Sequence, residues 1–376
     1  MSRFNKWVPF FEESSEQRDV ASWDKFLKAG LPDQGVKVIG LVSDRAKALV
    51  KLGESDYLDA TSMPDLFHFQ QDMGKLGGLQ IGRQYQQAQR DKAQLKEQSN
   101  VSAAQVAATE AFANERLSIY EQYRQESRAI NQTIHPFDST NNWSNPQQVS
   151  KRLTQSVLQV SKLTEQLNLS VDLSKANKVL RQIPAIVAGI DNWIKISQGR
   201  IEQWLKEGII NKVEKLWFTM YLLPLVYWQT QLSRTKNGRS NPSLVAVYQQ
   251  RVEESQKETI EKMIALKILP NRQEVLLEMA QQMAKSFQRS SSQVEGRNGY
   301  LAFIHHGQKG IPAQKRKALT VIHNFDTKQV DGSTPAQRLF KKDFPDLFEF
   351  LCENVTGFKE PRKRKSKVLK NSILQR

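Results

Sequence analysis

Cys352 is the single cysteine among 376 residues. That excludes a disulfide framework and any zinc site built on several cysteines, and it fits a reducing cytosol. Long apolar runs are missing too. The longest, Leu216–Trp228, contains Thr219 and Pro224 and is too short to cross a bilayer, so it reads as a buried helix. The opening stretch MSRFNKWVPFFEESSEQ has no apolar signal core and soon turns acidic, so no secretion signal is expected. Acid is scarce relative to base, with 39 Asp and Glu against 55 Lys and Arg.

The resulting net charge of +16 points to a polyanion as partner. Residues 359–376 carry eight Lys and Arg against one Glu, a net of +7, which leaves +9 on the rest of the chain. A basic tail alone is often a solvated end. A body that stays basic without it favours nucleic acid. Hydrophobic residues at 39% and charged ones at 25% describe a globular chain, long enough for two or three domains.

Residues 7–13 suggest a short edge strand, and 17–30 a helix with Val20, Trp23, Phe26 and Leu27 at helical spacing, closed by Gly30. The run Val36–Val42 predicts a central strand of a mixed, mostly parallel sheet. Asp44 follows it and precedes a helix over 45–52, where open α/β sheets place ligands. Asp44 could equally be a helix N-cap. In SMPDLFHFQQDM, Ser62 and Asp65 suggest a capping box, with Pro64 in the first turn and His68 one turn on. From 79 to 287 the pattern predicts helices almost throughout, with a polar break at 131–148 and another at Pro184. The aromatic residues Trp193, Trp204, Trp217, Phe218, Tyr221 and Trp228 read as core. A turn and helix start at DGSTPAQRLF, a short amphipathic helix at FPDLFEFLCENV and the basic tail complete the chain.

The stretch around which the rest is organised is Arg289–Asp326. It predicts helix punctuated by Gly310-Ile311-Pro312, with Glu295 and Gly299 on one face and Arg297 and Asn298 close by. On composition it is a solvated helix with ordinary surface charge. The series SSQVEGRNG, then His305-His306, then ALTVIHNFD and DGSTPAQRLF resembles the C-terminal signature of DDE-type insertion-sequence transposases common in cyanobacteria. The resemblance is close over about 290–350 and looser over most of the chain; VSDRAKALVKLG followed by PDLFHF shares in it.

That resemblance implies an α/β, RNase H-like core over 1–76 and 288–356, a large all-α insertion over 77–287 and a basic tail over 357–376. It implies DNA cleavage and strand transfer by two Mg²⁺ (or Mn²⁺) ions held on carboxylates, with Asp44 and Glu295 as the second and third acids. His68, Arg297, Asn298, His305 and His306 would be auxiliary, and Lys309, Lys315, Arg316, Lys317, Arg362, Lys363, Arg364 and Lys365 would meet DNA. The compartment implied is the bacterial cytoplasm, at the nucleoid, and further copies of the chain are an open partner. The departure is upstream. The pattern needs an earlier Asp on a strand, and only Asp19, Asp24 and Asp33 precede Asp44, none of them ending an apolar strand. The expectation is therefore a truncated copy or half of a split gene. The alternative is a non-catalytic DNA-binding protein derived from such an element.

Overall fold

The computed structural model describes residues 19–30 and 38–354, apart from 45, 55–57, 59, 99–100, 170–172, 237–241, 290–291, 309, 329–331 and 341. The expected edge strand at 7–13, Asp33, Lys309 and the basic tail lie outside the described residues. The chain divides into two compact units, Gln17–Glu295 and the remainder. Helix dominates the described residues of both.

In the first unit, helix α1 (Val20–Gly30) forms where the spacing predicts it. Strand β1 (Leu41–Ser43) follows, then α2 (Lys47–Gly53), strand β2 (Ser62–Pro64) and α3 (Leu66–Met73). The strands are parallel, with Leu41 opposite Ser62 and Ser43 opposite Pro64. The strand expected over 36–42 is shorter and later: Val38–Gly40 stand outside it, and Ile39 is half exposed. Among the described residues β1 pairs with β2 alone, and the central place expected for it is not seen there. The capping box expected at Ser62 is also corrected. Residues 62–64 are strand, and Asp65 itself caps α3.

The helical body occupies the rest of this unit. Its members are α4 (Leu79–Glu97), α5 (Ala103–Thr133), α6 (Pro146–Gln166), α7 (Leu173–Leu180), α8 (Ile183–Lys206), α9 (Lys212–Trp217), α10 (Leu223–Lys236), α11 (Pro242–Ala265) and α12 (Pro270–Ser286). Caps set several starts: Ser102 and Gln105 cap α5 reciprocally, as Asn211 and Glu214 do α9, and Asn145 with Pro146 opens α6. The break predicted at Pro184 falls just before it, because proline is tolerated in a first turn. Pro224 has no N–H and crowds the carbonyl four residues back, and the helix ahead of it widens into a π turn, Phe218–Leu222. A second π turn, Gly74–Gly78, leads from α3 into α4. There a Cβ on Gly77 would lie 2.1 Å from Thr164 Oγ1, and one on Gly78 2.1 Å from the Tyr123 hydroxyl. Glycine is what lets α5 and α6 close on this turn.

The core of the body is aromatic and centred on a buried histidine. The His135 ring is within hydrogen-bond distance of the Tyr227 hydroxyl at 2.6 Å and the Tyr248 hydroxyl at 3.0 Å. Trp228, Phe137, Trp143, Trp193 and Phe287 pack around them. Trp217 and Phe218 are buried, with Trp204 and Tyr221 packed against the cluster, so these aromatics are core as expected. Burial holds the His135 pKa well below the usual histidine range, helped by the positive charges of Arg289 and Arg251. The unfolded chain therefore takes up a proton that the folded chain refuses. Stability from this group is complete above about pH 6.5 and falls as pH drops below it, by up to about 1.4 kcal/mol per unit. His135→Gln is expected to flatten that part of the pH dependence, as read by denaturant unfolding between pH 7.5 and 5.

The second unit holds most of α13 (Ser292–Gln308), then α14 (Ala313–Phe325), α15 (Pro335–Phe340) and α16 (Leu347–Asn354). Gly310 takes φ 129° between α13 and α14, a conformation that favours glycine. Among the described residues no helix is long and apolar enough to cross a membrane.

Candidate active site

Two acids stand at the carboxyl ends of the paired strands. Asp44 follows β1, is exposed, and its Oδ1 accepts the Ala46 N–H at 3.1 Å. Ala46, not Asp44, is the N-cap of α2, so the capping alternative for Asp44 reduces to a tight turn ahead of the helix. Asp65 follows β2 and is buried. Its N–H donates to the Ser43 carbonyl at 2.7 Å, and its Oδ1 accepts from Phe67 N at 2.8 Å and His68 N at 3.4 Å. The carboxylate thus anchors α3 at the strand end. Register makes the two acids neighbours, since Ser43 faces Pro64.

Sequence reasoning missed Asp65 as a strand-end acid. The Ser-x-x-Asp spacing matches a capping template, which drew the helix start onto Ser62. The signal that could have found it is Asp65 itself, directly before the apolar helix Leu66-Phe67-His68-Phe69. His68 is half-buried in the first turn of α3, beside the Phe67 ring at 5.7 Å.

The helical body leaves the sheet at Leu66 and returns to the same place. Leu66 N donates to the Arg289 carbonyl at 2.9 Å. Helix α13 begins at Ser292, and Glu295 lies in its first turn. Chain geometry bounds the Cα of Glu295 to within about 15 Å of that of Arg289.

The remaining expected site residues belong to the second unit. Arg297 is buried, with its guanidinium 5.4 Å from the Tyr300 ring centre. Asn298, His305 and His306 are exposed along α13, the two imidazoles edge to face at 5.6 Å. Lys315 and Arg316 are half-buried and Lys317 exposed in the first turns of α14. Cys352 is exposed on α16. Among the described residues no three His, Cys, Asp or Glu side chains converge as a metal site. A two-carboxylate Mg²⁺ site would complete its shell with water and phosphate oxygens, so Asp44 and Glu295 remain chemically apt holders.

Among known proteins, a family of unknown function (DUF6399) matches residues 218–367, from the π turn of the helical body into the basic tail. No curated protein and no solved structure matches the chain.

Proposed function

We propose that this chain carries part of the RNase H-like catalytic core of a DDE-type transposase. Asp44 and Glu295 would hold Mg²⁺ or Mn²⁺ for phosphoryl transfer on DNA. The observation that carries the reading is the bond between Leu66 N and the Arg289 carbonyl. It makes a mostly helical stretch of more than two hundred residues a detour that leaves from beside one strand-end acid. The return lies three residues before the helix bearing Glu295. Carboxylates gathered from separated parts of a chain are what Mg²⁺ needs, because it prefers oxygen ligands and keeps several waters. The net charge of +16 supplies the affinity for a phosphate backbone.

A second reading, a DNA-binding protein without catalysis, draws on α1. Asp19 accepts the Ser22 N–H at 2.7 Å just ahead of that helix, and Asp24 pairs with Lys28 at 2.6 Å within it. Asp24 thus lies within the helix and Asp19 at its start, and among the described residues neither stands at the end of a strand as Asp44 and Asp65 do.

DNA retention over several salt concentrations tests the part common to both readings. Deleting residues 359–376 is expected to weaken binding and flatten the slope of log K against log salt, leaving binding by the body intact. Equal affinity before and after deletion removes the tail from the interface, and no retention at low salt removes DNA as partner.

A further inference from the structure

The segment Lys285–Arg289 is tied down more heavily than a connection between helices needs. Helix α12 ends at Ser286, and the last carbonyls of any helix lack intrahelical donors. Arg234 of α10 supplies them: its Nη1 donates to the Phe287 carbonyl at 3.1 Å and its Nη2 to that of Lys285 at 3.4 Å. From α8, Trp193 Nε1 donates to Ser286 Oγ at 2.9 Å. The Phe287 ring is buried, 5.5 Å from Trp193 and 6.0 Å from Tyr227. Arg289 then turns its Nη1 toward Gln231 Oε1 and the Tyr248 hydroxyl, each at 3.4 Å, while its carbonyl takes Leu66 N. Helices α3, α8, α10 and α11 all grip this short strap. Helix capping alone would need only the first of these contacts.

We infer that Arg234 and Arg289 are positioning residues, fixing the departure of the first turn of α13, and so Glu295, relative to Asp44 at the end of β1. The inference rests on the function proposed above for that pair. It adds that the precision of the site comes from the helical body. Bond direction matters here. Arg234 bridges two carbonyls on either side of the helix end, so it sets the angle at which the chain leaves α12. Arg289 joins the body through its side chain and the sheet end through its carbonyl, so it ties the end of the strap to both. A two-ion site tolerates errors of only about 1 Å, which an unfastened linker does not supply.

The test is a distance measurement between spin labels at Lys47→Cys and Ser292→Cys in the full chain, with Cys352→Ser removing the native thiol. The parent is expected to give one narrow distribution. Arg234→Ala and Arg289→Ala should each widen it about twofold or more, because the fastening that suppresses slower excursions is gone. Arg234→Lys keeps the charge but reaches one carbonyl, so an intermediate width is expected; it also serves if Arg234→Ala does not fold. Ile201→Ala, a core truncation in α8 away from the strap, lowers the unfolding temperature and should leave the width unchanged. A width unmoved by the arginine variants overturns the inference, and so does equal broadening by Ile201→Ala. Mn²⁺ binding by Asp44→Asn and Glu295→Gln, with the strap intact, is read separately. If neither variant weakens it while the widths behave as expected, the strap stands and the metal reading fails.

Discussion

Purified residues 1–376 are expected to hold DNA and to leave it uncut in Mg²⁺ or Mn²⁺. In-line displacement at phosphorus uses two ions about 4 Å apart, one stabilising the attacking oxygen and the other the leaving oxygen. A carboxylate shared between them keeps that spacing, and the proposed pair, Asp44 with Glu295, assigns no residue to that shared position. Losing an electrostatic contact of this kind costs several kcal/mol of transition-state stabilisation, roughly 10²–10³ in rate or more. Joining an upstream strand that ends in Asp to the same chain should restore cleavage of labelled duplex. Glu295→Gln should then abolish it with DNA affinity unchanged. Robust metal-dependent cleavage by residues 1–376 alone would mean that the third acid is already present. Asp65, at the end of β2, would be the first to replace by Asn.

Gly189→Val should destabilise the first unit by about 2–3 kcal/mol and loosen the sheet before it loosens the helices. A Cβ at Gly189 of α8 would lie 2.6 Å from the Cβ, Cγ and Sδ of Met63, the middle residue of β2. No rotamer change relieves the first of these contacts, because the Cβ of Met63 moves only with its backbone. The strand must shift, and Asp65 and Leu66 shift with it. Hydrogen exchange at the Asp65 and Leu66 amides is the measurement, and protection there should fall before protection in α10 or α11. Gly199, ten residues on in the same helix, has nothing within 4 Å of where a Cβ would stand. Gly199→Ala should therefore stabilise, by up to about 1 kcal/mol of helix propensity. If both substitutions act alike, the close approach at Met63 is not what sets the effect.

Much of the helical body was legible because helix is written locally. Period, caps and punctuation predict α1 and the helices over 79–287, and the aromatic residues at helical spacing form its core. The strands were less legible. A strand of three residues carries almost no period, and the apolar run over 36–42 overstates β1 because hydrophobicity does not mark where pairing begins. Asp44 was visible as an acid between strand and helix, and Glu295 as an acid in a helix. Nothing local links either acid to the strap. The bond between Leu66 and Arg289, the grip of Arg234 on the end of α12 and the closeness allowed at Gly189 depend on the packed body. The π turns escaped as well, since widening by one residue is a response to neighbours as much as to sequence.

The closure between Leu66 and Arg289 also orders events in time. At about 5–20 residues per second, a ribosome takes roughly 10–45 s to go from β2 to the residue that meets it. During that interval the end of the strand has no lid, and the helices between can collapse on their own local contacts. Closing so long a loop from an open chain is entropically costly, but after the body has folded its two ends are already held side by side. Assembly of the acid-bearing turn is then a short last step. A chain released before Arg289 would complete most of its body and still leave that strand end bare.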